Sequence, residues 1–140
     1  MREIKKVILH CSDTIEGAHI DVETIRKWHT SEPRNWSDIG YHYVIYLDGT
    51  IAKGRDLDVV GAHCRGNNKD SIGICYVGGV NSMRQPADTM TAAQDMAFIE
   101  LWHALKTVLG DLELYGHNDF SNKACPSFKV QEKYKFLIEK

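Results

Sequence analysis

A β-hairpin in the first half of the chain is the feature that most restricts its fold. Two β-prone runs between Tyr43 and Lys53 flank the dipeptide Asp48-Gly49, which is typical of a tight hairpin turn. The hairpin requires at least one antiparallel pair of strands. Other short apolar runs alternate with amphipathic segments, an order that favours a sheet covered by helices. We therefore expect an α/β (α+β) fold, with a mixed β-sheet flanked by helices.

Three further strands and three helices are predicted around the hairpin. Apolar runs predict strands at 4–10, 71–77 and 112–115. Asp21 is a candidate N-cap for a helix to residue 30, Thr91 opens a capping box for a helix over 92–109, and a last helix covers 130–139. The predicted inward-facing side chains are Ile25 and Trp28 in the first helix, Ala97, Leu101, Leu105 and Val108 in the second, and Tyr134, Leu137 and Ile138 in the last.

Length, charge and the absence of targeting signals narrow the class of protein. The 140 residues fit one domain, and we expect a single domain over 1–140 that acts as a monomer. No run resembles a signal-peptide core or a membrane span, so we expect synthesis in the cytoplasm without a signal peptide. The net charge of −2 argues against nucleic acid or an anionic membrane surface as the main partner.

Seven histidines and four cysteines supply the ligand types that zinc prefers. His10 closes the first predicted strand, His117 follows the strand at 112–115, and Cys125 lies eight residues further along. Three such ligands suit a catalytic zinc ion with an open fourth position. Cys11 would close that position, but neighbouring residues on a strand point to opposite faces. Spacing alone does not decide the matter, because most histidines serve packing or lie on the surface.

A series of short motifs in a fixed order carries a family resemblance. They are Ile8-Leu-His-Cys-Ser-Asp-Thr14, Ile25-Arg-Lys-Trp-His29, Ile39-Gly-Tyr-His-Tyr-Val44, Asp48-Gly-Thr50, Gly54-Arg-Asp56, Gly61-Ala-His63, Ser71-Ile-Gly73, Val77-Gly-Gly79 and Lys123-Ala-Cys-Pro-Ser-Phe128. This set resembles the type 2 zinc-dependent N-acetylmuramoyl-L-alanine amidases, which include the phage T-seven lysozyme. The resemblance covers nearly the whole chain. It implies the fold that these amidases share with peptidoglycan recognition proteins.

The resemblance also implies the residues of an active site. The family's zinc ligands correspond to His10, His117 and Cys125, which would hold one catalytic Zn²⁺. Its two further catalytic positions correspond to Tyr41 and Lys123. Lys123 would stabilise negative charge that develops on the substrate. Tyr41 would donate a hydrogen bond to water or to the developing oxyanion.

Substrate contacts are less specified by the resemblance. His63 and Asn68 match positions near the family's substrate groove, and we predict that they bind substrate. For His63 the alternative is that it ties down its own loop, and Asn68 has the same alternative. The other histidines and cysteines are expected to pack or to face solvent: His19, His29, His42, His103, Cys64 and Cys75.

Taken with the resemblance, these residues predict hydrolysis of the amide between N-acetylmuramic acid and L-alanine in peptidoglycan. We expect a phage or prophage endolysin, released to the periplasmic wall through a holin-type opening or by another route. From the length we expect no separate wall-binding domain. A binding module without activity is the alternative, and the presence of Cys125 disfavours it. A third interpretation, a partner of RNA polymerase, has no feature for or against it.

Overall fold

A five-stranded mixed sheet forms the centre of the protein. The computed structural model describes residues 1–138. These residues form seven strands, β1 (Lys6–Cys11), β2 (Thr14–Ile15), β3 (Tyr43–Ile45), β4 (Ile51–Lys53), β5 (Ser71–Tyr76), β6 (Gly79–Val80) and β7 (Glu113–Gly116), of which β2 and β6 form a separate two-stranded sheet. The α-helices are α1 (Val22–Thr30), α2 (Ala92–Leu109), α3 (Val130–Lys133) and α4 (Lys135–Ile138), and a 3-10 turn covers His117–Asp119.

The strands of the central sheet lie in the order β4-β3-β5-β1-β7. β3 and β4 form the antiparallel hairpin, whereas β3–β5, β5–β1 and β1–β7 are parallel pairs. The mixed sheet predicted from the hairpin is therefore confirmed. Because β1 lies parallel to both β5 and β7, the carboxyl ends of these strands meet at one edge of the sheet. Loops that leave this edge bring distant parts of the chain together.

One face of the sheet packs against α2 and the C-terminal helices. Alternate residues of β1 and β5 enter this large core, among them Leu9 and Ile74, and neither is exposed. From α2, Phe98 and Trp102 are fully buried against them. The predicted capping box is confirmed, since Thr91 accepts from the Gln94 backbone and the Gln94 side chain accepts from Thr91.

Two predicted inward positions are wrong on this face. Val108 is 80% exposed, because it lies in the last turn of α2, where the apolar stripe continues but no partner covers it. Ile138 is also exposed, because the predicted single helix is interrupted at Tyr134 and its periodicity does not carry into α4. Tyr134 and Leu137 are buried as predicted. The predicted helix end at 139 lies outside the described residues.

The opposite face of the sheet packs against α1 through a smaller apolar cluster. Ile25 of α1 contributes to this cluster together with Ile39, Val44 and Val77. The predicted N-cap is confirmed, since the Asp21 carboxylate accepts from the Thr24 backbone at 2.8 Å. The prediction for Trp28 is wrong: this side chain is 42% exposed, because Ile25 and His29, four residues apart, form the buried side of the helix.

Candidate metal centre and active site

Three metal-ligating side chains meet at the carboxyl edge of the sheet. His10 lies near the end of β1, His117 follows β7, and Cys125 lies in the loop before α3. Their ligand atoms all lie within 4.8 Å of one another, and the Cys125 Sγ is 3.8 Å from the His10 Nδ1. Within residues 1–138 this is the one group of three or more such side chains arranged to hold a metal ion. The parallel pairing of β1 with β7 brings His10 and His117 together.

The protonation states of the two imidazoles suit a metal ion. Burial lowers the pKa of His10 well below its ordinary value, and nearby histidines and Lys123 lower it further. Burial, and then the charge of Lys123, also lowers the pKa of His117. Both rings are therefore neutral at neutral pH, which is the form that ligates metals.

The Cys125 thiol needs a cation to become a ligand. Hydrogen bonding with Cys11 and burial raise the pKa of Cys125, so the isolated thiol stays protonated. A divalent cation at the site would reverse this, since coordination deprotonates a thiol. Two imidazole nitrogens and one sulfur, with one side open, match the donor set of a catalytic zinc site.

Cys11 contacts this cluster through its backbone N–H as well as through its thiol. Its side chain is 3% exposed and packs in the large core, on the face of β1 opposite to His10. Its backbone N–H donates to the Cys125 Sγ at 3.2 Å. A hydrogen bond across 114 residues leaves no local signal, so sequence reasoning did not find it.

Tyr41 and Lys123 border the open side of the cluster. The Tyr41 ring lies 5.1 Å from the His10 ring between centroids. Burial, followed by the thiols of Cys75, Cys125 and Cys11, raises the pKa of Tyr41 well above its ordinary value, so its phenol remains an O–H donor. The exposed Lys123 lines the same cavity as Tyr41 and Cys125.

Two cavities meet at the cluster and form a groove across it. The first, of about 530 Å³, is lined by Trp28, Arg34 and Tyr41, among others. The second, of about 700 Å³, is lined by side chains that include Trp36 and Arg65. His117 and Lys123 belong to both linings, so a long ligand can pass over the cluster. The exposure of Trp28, which the sequence did not reveal, makes it a wall of this groove.

Comparison with known proteins settles the family. The family model described as N-acetylmuramoyl-L-alanine amidase matches residues 1–128. The chain belongs to this family. The predicted family, fold and enzyme class are confirmed: the protein is an amidase that hydrolyses the amide bond between N-acetylmuramic acid and L-alanine in peptidoglycan.

The amidase is similar to phage endolysins and to solved structures. The endolysin of Klebsiella phage KP32 is 39% identical over 130 residues, which cover 93% of this chain and 85% of the relative. The endolysin of Escherichia phage T7 is 37% identical, with 89% and 82% covered. The amidase LysC from Clostridium intestinale superposes with a TM-score of 0.81 at 28% identity, covering 99% and 88%. Bumblebee PGRP-SA superposes with a TM-score of 0.80 at 28% identity, covering 96% and 82%.

In this amidase, His63 and Asn68 both line the second cavity, and both are held by contacts within the protein. The His63 ring is 8% exposed and hydrogen bonds through both nitrogens, to His10 and to Ser71. Burial, followed by charges that include His42, lowers the pKa of His63 to about 3. The Asn68 Oδ1 accepts from the backbone of His63 and of Cys64 at 2.9 Å. These contacts match the alternative in which both residues tie down their loop, and substrate binding by either stays a prediction.

The remaining histidines and cysteines of the amidase pack or face solvent as expected. His42 is fully buried, and its Nδ1 accepts from the Gly73 backbone at 3.0 Å. His29 accepts from the Gly40 backbone at 2.9 Å. His19 and His103 are exposed, and Cys64 and Cys75 are buried.

Proposed function

We propose that this amidase hydrolyses its substrate with one zinc ion held by His10, His117 and Cys125. The observation that carries the proposal is the approach of their ligand atoms to within 4.8 Å of one another, with His117 and Cys125 lining a groove. Three protein ligands and an open fourth side are typical of zinc hydrolases. When bound, zinc supplies Lewis-acid chemistry that activates water and polarises a carbonyl oxygen.

Lys123 stabilises the negative charge that develops on the amide oxygen during attack. Its exposed ammonium borders both halves of the groove, beside His117. A fixed positive charge is worth more in the transition state than in the ground state, because the amide oxygen is neutral before attack. Lys123 therefore acts on turnover and makes no contribution to holding the metal.

Tyr41 supplies a hydrogen bond from its phenol to the reacting oxygen atoms. Burial and the surrounding thiols keep the pKa of the phenol high, so the group donates and does not ionise. Its ring packs beside the His10 ring, 5.1 Å away between centroids, and lines the same cavity as His117 and Cys125.

The groove holds the sugar and the peptide on either side of the scissile bond. Trp28 and Trp36 lie in the two halves and present indole surfaces on which a sugar ring packs. Arg34 and Arg65 give the groove positive charge that complements peptide carboxylates. His63 and Asn68 act on substrate through the shape of the loop that they stabilise.

The biological role that we propose is that of an endolysin acting on a thin bacterial wall. The relatives in Klebsiella phage KP32 and Escherichia phage T7 are endolysins. None of the helices formed by residues 1–138 is both long and apolar enough to cross a membrane. The enzyme then reaches the periplasmic peptidoglycan after a holin-type or other release.

Digestion of purified peptidoglycan, with and without a chelator, tests the proposal. We expect new free L-alanine amino termini in the mass spectrum, their loss on chelation and their return when zinc is added. The Cys125→Ala variant is expected to give no product, whereas the Lys129→Ala variant, at an exposed residue that lines neither cavity, is expected to give normal product. New reducing sugar ends, or product formation that resists chelation, would contradict the proposal.

A further inference from the structure

A chain of hydrogen bonds connects a backbone carbonyl to one of the proposed metal ligands. The Ser71 Oγ lies 2.6 Å from the Asn67 carbonyl oxygen and 3.1 Å from the His63 Nε2. The His63 Nδ1 in turn lies 2.8 Å from the His10 Nε2. Ser71, His63 and His10 are 0%, 8% and 1% exposed, so these contacts are largely screened from solvent. We call these three side chains the relay.

The direction of each hydrogen bond in the relay follows from the atom at its far end. A carbonyl oxygen only accepts, so the single hydroxyl proton of Ser71 goes to Asn67. The Ser71 Oγ must then accept from the His63 Nε2–H. A neutral imidazole carries one N–H, which leaves the His63 Nδ1 as an acceptor. The His10 Nε2 therefore carries a proton and donates it to His63.

This direction leaves the other nitrogen of His10 unprotonated. The His10 Nδ1 is the atom that lies 3.8 Å from the Cys125 Sγ, on the side of the proposed metal ion. A neutral imidazole binds a metal through its unprotonated nitrogen, and the partner of the other nitrogen decides which one that is.

We propose that His63 and Ser71 are positioning residues that fix the tautomer of His10 with its Nδ1 lone pair facing the metal. The inference rests on the proposed function, because the metal is what receives this lone pair. It gives His63 a role through His10 and leaves neither of its ring nitrogens free for substrate.

The neighbouring backbone is shaped to hold the His63 ring. A Cβ placed on Gly73 would lie 2.5 Å from the His63 Cγ, so only glycine lets the ring pack this close to β5. The Asn68 Oδ1 holds the His63 backbone from the loop side. The ring is thus confined between strand and loop, with both nitrogens aimed at their partners.

The first test is the tautomer of His10 in the metal-free full-length chain, read from nitrogen–proton correlation spectra of isotope-labelled histidine. We expect the proton on Nε2 in the wild-type chain. In the Ser71→Ala variant the His63 N–H loses its acceptor, and we expect the proton of His10 to be shared between both nitrogens. A proton on the His10 Nδ1 in the wild-type chain would overturn the proposal.

The second test is zinc affinity, measured by competition with a chromophoric chelator. His63→Leu removes the acceptor and is expected to weaken zinc binding by about 10- to 100-fold, as loss of a ligand's partner does. Asparagine has nearly the same shape as leucine but keeps an acceptor at the δ position. We therefore expect His63→Asn to retain most of the zinc affinity that His63→Leu loses. The matched control is His29→Leu, at an equally buried histidine with no hydrogen bond to the three ligands.

Distinct outcomes separate this inference from the proposed function. Equal losses of affinity in His63→Leu and His63→Asn, or an equal loss in His29→Leu, would overturn the relay in favour of general packing. If the His63 variants do not fold, the wild-type spectrum and Ser71→Ala still decide the matter. Failure of the wild-type chain to bind zinc would overturn the proposed function, whereas the spectrum of the metal-free chain would still decide the tautomer.

Discussion

On one face of the central sheet Leu9 and Ile74 pack beneath α2, whereas on the other His10 and Cys75 occupy the next positions of the same two strands. Both faces are buried. The first is held by apolar contact. The second combines a smaller apolar cluster under α1 with hydrogen bonds among imidazoles, a hydroxyl and backbone groups. Burial on the first face therefore serves stability, while burial on the second also controls protonation and orientation.

If the two faces are separate in this way, substitutions should affect either metal binding or stability, and seldom both. The largest effect is expected for Cys125→Ala. Loss of the sulfur should abolish both stoichiometric zinc and amidase activity, because two imidazoles alone do not complete the site. Zinc content of the purified variant and release of L-alanine amino termini measure it. A Cys125→Ala variant that kept its zinc and its activity would show that Cys125 is not a metal ligand.

On the apolar face, Phe98→Ala is expected to lower the free energy of unfolding by about 3–5 kcal/mol, since it leaves a cavity beneath α2. Zinc affinity of the folded fraction should stay at the wild-type level. Denaturant unfolding of the metal-free protein and chelator competition give the two numbers. A parallel loss of zinc affinity would show that the two faces are coupled.

Lys123→Ala is expected to lower kcat by about 10²–10³-fold while zinc remains bound, because the charge acts on the transition state. Kinetics on soluble muramyl peptide, together with zinc analysis, check this. Lys129→Ala is the matched control, since that exposed lysine lines neither cavity of the groove. Loss of zinc from Lys123→Ala would assign this residue to the metal centre instead.

The buried histidines on the second face should also make the free energy of unfolding depend on pH. Burial lowers the pKa of His29 and of His42 to about 4, below the value of 6.5 expected when unfolded. Between these values the unfolded chain binds protons that the folded chain does not. The free energy of unfolding should therefore fall as pH drops from 6.5 toward 4, by up to about 1.4 kcal/mol per pH unit for each group. Denaturant unfolding of the metal-free protein across this range measures the slope, and His42→Leu should reduce it. A slope unchanged in that variant would remove His42 from the explanation.

The smallest effect is expected at the end of α2. Val108→Ser should change the free energy of unfolding by no more than about 0.5 kcal/mol, because the side chain is exposed. Leu105→Ala, one turn earlier and buried, should cost about 2–5 kcal/mol. Thermal or denaturant unfolding compares the two. A large loss of stability in Val108→Ser would instead support the prediction from periodicity that Val108 faces the core.

Local pattern was enough for the five strands of the central sheet and for the starts of α1 and α2, but it missed the short strands β2 and β6. The Asp48-Gly49 turn implied an antiparallel pair, and Asp21 and Thr91 marked helix N-termini through side-chain oxygens that cap nearby backbone N–H groups. The apolar periodicity did not predict how far the buried face of each helix extends. Val108 continues a stripe with no partner, and Trp28 lies on the exposed side of a helix whose buried pair is Ile25 and His29.

The candidate site divides in the same way. Residue types and motif order were sufficient to name His10, His117 and Cys125 as candidate ligands, because strand ends and family motifs are readable along the chain. The hydrogen bonds that hold these side chains in place could not be predicted from the sequence. The Cys11 N–H on Cys125 and the His63 ring on His10 join residues 114 and 53 positions apart.

The sequence by itself determined the strands of the central sheet and the two longest helices, which family the chain resembles and which donor atoms it can offer a metal. Only the tertiary structure decided which nitrogen of His10 lies beside Cys125, which tryptophans line the groove and that His63 hydrogen bonds to His10. The reason is physical. Element type depends on neighbours in the chain, whereas a hydrogen-bond partner depends on which distant strand folding places beside it.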